Sequence, residues 1–243
     1  MYTQNELSKS IKMMQAEFNV KTVFSQNAKM KRSSQNGIHL YNWGIPALKS
    51  QDGTATCPMA GSCARGCYAR QGAYVWSNVA AAYENRLKLS RSVNFETVIK
   101  FHIDRLLLKH KTGLIMIRVH DAGDFYNESY ASRWFSIAMA YQNEPRVQFY
   151  AYTKMVAMFK GDLSAKRPKN FKIIFSLGGK QDDMIQSETD RHSKVFETET
   201  ELNSQGYVNA SHNDMDALGD NLKIGLVYHG TKGYAKTNWS KVK

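Results

Sequence analysis

No stretch of this 243-residue chain approaches the roughly 18 consecutive apolar residues of a membrane-crossing helix. The opening segment, MYTQNELSKSIKMMQAEF, lacks the apolar core of a secretory signal. There are no internal repeats and no low-complexity tract, which argues against solenoid arrays and disordered linkers. Cysteine is nearly missing: the 3 thiols, Cys57, Cys63 and Cys67, all fall in the segment CPMAGSCARGCYAR (57–70). An odd number cannot build a fully paired disulfide framework. With no export signal, the chain is expected in the cytoplasm, with reduced thiols and no membrane partner. Acidic residues are also short, 21 against 33 basic, leaving a formal charge of +12.

That excess points to a polyanionic partner, and nucleic acid, DNA or RNA, is the usual one. The basic residues recur along the whole chain: Lys29, Lys31 and Arg32; Arg86, Lys88 and Arg91; Lys166, Arg167 and Lys169; Lys236, Lys241 and Lys243. The plainer alternative is that they serve solubility. The length suits one large domain, and 42% apolar residues suit a globular core.

Periodicity predicts an α/β fold. Residues 1–37 read as a polar N-terminal arm, partly extended, with a weak helical stretch near 4–18. Residues 38–243 form a single α/β domain. Strands are expected at 38–47, 113–120, 146–154, 171–179 and 222–229, and helices at 74–90, 94–110 (with Asn94 as N-cap) and 127–142. Residues 180–221 are polar and read as an irregular insertion with a short helix. Strand–helix alternation implies a mainly parallel sheet. A sheet covered on both faces would be apolar on both. Here Ile115, Ile117 and Val119 make one apolar face while Arg118 and His120 lie opposite; Lys223, Gly225 and His229 share a face in the last strand. This mixed pattern predicts an open or partial barrel of mainly parallel strands with outer helices, a wet concave side, and chemistry at the C-terminal strand ends. A sheet with one solvent-exposed face is the alternative.

The clustered thiols call for a reason, and metal is the first. Thiolates select zinc or iron–sulfur clusters. Structural zinc closes with four ligands, so it would need a distant His or Asp. A [4Fe–4S] cluster on Cys57, Cys63 and Cys67 leaves one iron open for chemistry. Gly61 and Gly66 permit tight turns in the loop, and Pro58 stiffens its entry. Incidental buried thiols are the remaining reading.

A second dense motif, RVHDAGDFY (118–126), begins at the end of the strand expected at 113–120. Asp121 and Asp124 flank Gly123 and are candidates to hold a divalent metal ion or accept a proton, with His120 as acid–base and Arg118 as a phosphate fork. The plain alternatives are that Asp124 or Asn127 caps the next helix and that His120 is a core histidine. YAYTK ends the next strand with Tyr152 and Lys154, the latter a phosphate or carboxylate contact or a surface residue. SLGG follows, where Ser176 and Gly178 would let a cofactor approach the backbone.

The segments CPMAGSCARGCYA, RVHDAGDFY and YAYTK resemble the bacteriophage gene product 88 family, from about residue 38 to 179 and more weakly to the C-terminus. The resemblance implies a phage or mobile-element origin, and so the cytoplasm of a host cell. The three-cysteine loop followed by strand–helix repeats is also similar to radical S-adenosylmethionine (SAM) enzymes, which have a partial barrel and a [4Fe–4S] cluster. Those space their ligands CxxxCxxC with an aromatic before the last cysteine. Here the spacing is CxxxxxCxxxC, Tyr68 follows Cys67, and no GGE segment is present. Three readings stay open: a cluster enzyme acting on nucleic acid with SAM as cosubstrate, a nuclease using Asp121, Asp124, His120 and Lys154, and a nucleic-acid-binding protein with a structural cluster or zinc. The residues leave the oligomeric state open.

Overall fold

A computed structural model describes residues 4–228, apart from 21 and 36. His229, Lys236, Lys241 and Lys243 lie outside the described residues. Seven strands form one sheet: β1 (Ile38–Trp43), β2 (Leu114–Val119), β3 (Val147–Thr153), β4 (Phe171–Ser176), β5 (His192–Phe196), β6 (Val208–Asn209) and β7 (Lys223–Val227). Their order is β1-β2-β3-β4-β5-β7-β6, and every neighbouring pair is parallel. The sheet curls into a half-barrel with helices around it, as the alternating strand pattern implies.

The helices are α1 (Gln4–Phe18), α2 (Ala28–Ser33), α3 (Ser77–Arg91), α4 (Phe95–Lys109), α5 (Glu128–Ala140), α6 (Val156–Lys160) and α7 (Glu199–Ser204). On the convex side, Ile115, Ile117, Val119, Val147 and Phe149 pack with Ile99, Ile103 and Trp134 of α4 and α5 in the larger core. Burying such a side chain contributes about 1.5–3 kcal/mol, so this layer supplies most of the hydrophobic stabilisation. The concave side holds a smaller cluster, Leu40, Met116, Tyr150, Ile174 and Ile224, closed by Met30 of α2 and by Ala217 and Leu218.

Three expectations change. The later part of the expected arm packs on the domain: Val20, Val23, Phe24 and Met30 are buried, and the Ser25 and Asn42 backbones pair along the open edge of β1. Apolar side chains spaced through a polar segment were enough to tie it in. Residues 180–221 are not irregular, because β5 sits inside the sheet between β4 and β7 and β6 closes its far edge. HSKVF is a short strand whose polar residues hide it from a pattern search. Asn94 does not cap α4; it is in the helical region with no side-chain cap bond, and Ser92 Oγ accepts from its N–H at 3.1 Å. Asn127 does cap α5, accepting from Tyr130 N–H at 2.8 Å.

Candidate functional site

The thiol loop lies in the connection between β1 and α3 and doubles back across the C-terminal rim of the sheet. Thr56 O accepts from Asp124 N–H at 2.9 Å, in the turn after β2. The N–H groups of Gly61 and Cys63 both donate to Gly178 O at 3.1 Å, just past β4, and Lys180 N–H donates to Met59 O at 2.9 Å. Glycine makes this docking possible. A Cβ on Gly61 would come within 2.8 Å of the Gly179 backbone, and one on Gly178, at φ +98°, would stand 3.1 Å from Cys63 Cβ.

All three thiols are free and half-buried. Burial pushes the Cys57 thiol up to about 12, with the Asp124 charge adding; Leu48 N–H, donating to Sγ at 3.3 Å, and Lys154 pull the other way. Burial also raises Cys67, where Cys63 adds and Lys154 opposes. The thiols, Asp124 and Lys154 therefore share one electrostatic neighbourhood. Among the described residues, no three His, Cys, Asp or Glu side chains converge on a position for a single metal ion.

Lys154 is held on both sides. Its Nζ donates to Ser176 Oγ at 2.7 Å and its backbone N–H to Asp124 Oδ2 at 2.9 Å. Asp124 is buried, and its Oδ1 accepts from Thr153 Oγ1 at 2.7 Å and Phe125 N–H at 2.8 Å. Burial raises its carboxyl while these donors oppose. The N–H groups of Gly178 and Gly179 donate to Asp182 at 2.7 and 2.8 Å, which fixes the turn under Cys63.

The other candidates separate. Arg118 and Tyr152 lie deeper on the concave face, the guanidinium 4.9 Å over the tyrosine ring. Arg118 pairs with the buried carboxylate of Asp214 at 3.5 Å, which also takes Lys29 and, at 2.8 Å, the Tyr150 hydroxyl. Burial opposes both charges, but each holds the other ionised: Arg118 rises well above its ordinary value and Asp214 falls below its own. Asp121 faces α3, its Oδ2 accepting from Tyr83 at 2.8 Å and Tyr74 at 3.2 Å.

His120 corrects the expectation that it shares the Arg118 face. Its φ is +72°, which reverses the strand alternation and turns the ring into the convex core against Phe125 and Tyr130. Its Nε2 meets Tyr130 Oη at 3.0 Å, and burial, aided by the Arg118 charge, drives the imidazole down to about 3. A shared divalent site on Asp121, Asp124 and His120 is thus not assembled, because each side chain faces different partners.

Sequence patterns missed Asp214, Lys29 and the tyrosines Tyr74 and Tyr83. A single carboxylate within a polar stretch carries no local signal. Tyr68, noted only as following Cys67, reaches from the thiol loop to donate its hydroxyl to Asp121 O.

No curated protein and no solved structure matches the chain. The family model described as Gene product 88 matches residues 20–240, a span that takes in all seven strands, the thiol loop and the Asp124–Lys154 pair. The chain therefore belongs to the bacteriophage gene product 88 family.

Proposed function

We propose that this protein is an iron–sulfur enzyme acting on nucleic acid, similar in plan to radical SAM enzymes, with Cys57, Cys63 and Cys67 as cluster ligands. One observation carries the reading: the chain's only thiols sit on the loop after β1, docked over the rim of a parallel half-barrel beside a lysine. The donor set suits a cubane. It is soft, it has a backbone N–H on one sulfur, and a cubane spreads its thiolates over separate irons rather than drawing them to one ion. When bound, a [4Fe–4S] cluster would supply single electrons to a cosubstrate, which in this reading would be SAM.

The residues around it have separable roles. Asp124 braces the Lys154 backbone, so Lys154 presents its ammonium between Ser176 and the thiols. There it offsets thiolate charge and attracts an anionic group of a ligand. Arg118 and Asp214 hold the concave floor as a compensated pair. The hydrolytic reading asks Asp121 and Asp124 to share a cation, and Asp121 Oδ2 and Asp124 Oδ1 are engaged with different partners, Tyr83 and Thr153. The charge of +12 supports a polyanionic substrate.

Anaerobic reconstitution with iron and sulfide is the test. The wild type should become brown and hold iron and labile sulfide in equal amounts, and Cys57→Ala, Cys63→Ala or Cys67→Ala should each lose the chromophore. Reduced holoprotein should then consume SAM in the presence of DNA or RNA. Stoichiometric zinc without colour, or strand cutting that needs no SAM, would overturn the reading.

A further inference from the structure

Away from the thiols, a cavity of about 640 Å³ opens between the 19–27 segment, the edge of β1 and α3. Its size suits a small-molecule site, and no cysteine lines it. We propose that this cavity binds a nucleoside monophosphate, its phosphate on Arg86 and its sugar on Asp121. This inference does not depend on the cluster.

Arg86 carries the argument. It lines the cavity yet is only 4% exposed, and it lies 5.2 Å over the Tyr83 ring. Its Nη2 donates to Thr22 O at 3.3 Å, while among the described residues Nε and Nη1 have no partner. Among the described residues, no carboxylate stands within 4.0 Å of it. Buried guanidinium groups are normally paired, because an uncompensated charge away from water is costly. Arg118, Lys29 and Asp214 follow that rule, each paired with an opposite charge. An anion in the cavity would supply the missing partner.

The far end asks for a donor. Asp121 is 4% exposed and lines the same cavity. Its Oδ2 accepts from Tyr83 and Tyr74, but Oδ1 is buried with no partner. A carboxylate oxygen of this kind accepts from a hydroxyl. Tyr83 spans the two ends, with its ring under Arg86 and its hydroxyl on Asp121. The cavity is also lined by Asn19 and Asn78. Amides both donate and accept, as the edge of a nucleobase does. Inorganic phosphate would answer Arg86 alone; a nucleoside monophosphate answers the anion site, the acceptor and the asparagines together.

Titration calorimetry on the full chain tests this with AMP, GMP, CMP and UMP, and with adenosine and inorganic phosphate. At least one monophosphate should bind, with its nucleoside and phosphate each weaker by about tenfold or more. Arg86→Gln should weaken the monophosphate by about tenfold or more and leave the nucleoside unchanged, while Arg86→Lys keeps part of the affinity. Asp121→Asn should weaken nucleoside and monophosphate alike. This second variant decides the matter if Arg86→Gln unfolds by circular dichroism. Failure of every monophosphate to bind, or equal binding by wild type and folded variants, would overturn the proposal.

Discussion

His120 and Asp214 show what single residues do here. The ring of His120 is buried neutral, so its folded value lies near 3 while the unfolded chain keeps about 6.5. A lowered histidine takes up its proton in the unfolded state first. Stability is therefore undiminished above about pH 6.5 and falls as the pH drops toward 3, by about 1.4 kcal/mol per unit. Asparagine tolerates the +72° backbone and does not titrate. Between about pH 7.5 and pH 5, wild type should lose about 2 kcal/mol more than His120→Asn in urea unfolding; equal losses would mean that the imidazole titrates freely. Asp214 is the opposite case, a buried charge with two cations on it. Asp214→Asn strands Lys29 and Arg118 and should cost about 3–5 kcal/mol, read from the urea midpoint. A loss under about 1 kcal/mol would show that water compensates the cations instead.

At the level of elements, the thiol loop has little regular structure of its own. Ordering such a loop costs about 1–2 kcal/mol per residue, and its rim contacts offset that. Gly178 is one of them, with positive φ and Cys63 against it. Gly178→Ala should destabilise by about 1–3 kcal/mol and speed proteolytic cutting within residues 57–76. Gly72 also has positive φ but faces open space, so Gly72→Ala carries the backbone strain without the clash and should raise the cutting rate less than Gly178→Ala. If both variants are cut alike, the loop is not held through β4. The same β4 end carries Ser176 and the Asp182-capped turn, so one element seats both the loop and the Lys154 side chain.

Taken whole, the molecule is a cationic half-barrel with its open rim roofed by a loop. The described residues contain no helix long and apolar enough to cross a membrane. With a charge of +12, binding to nucleic acid should weaken steeply with salt, the logarithmic slope gaining about 0.7 per phosphate contact on single strands and about 0.9 on duplex. Fluorescence anisotropy with labelled DNA and RNA would show it. No binding to either form at low salt would remove nucleic acid as the partner.

Local pattern was enough for the scaffold. The strand–helix order implied a parallel sheet, alternation in β2 and β3 marked its polar face and so its curl, and the clustered cysteines marked the loop that crosses the rim. These are properties of neighbouring residues, which periodicity and spacing record directly. Tertiary structure decided the rest. β5 is a strand because β4 and β7 offer it hydrogen bonds on both sides, not because HSKVF favours one. His120 turns outward because its backbone at the strand end adopts positive φ, which alternation cannot foresee. Asp214 reaches Lys29 and Arg118 across long stretches of chain, and Arg86 comes to lie buried on a cavity that Asp121 also lines, with donors unused. Such pairings, and such missing ones, exist only once burial has removed water and made each charge answer to whatever the fold has placed beside it.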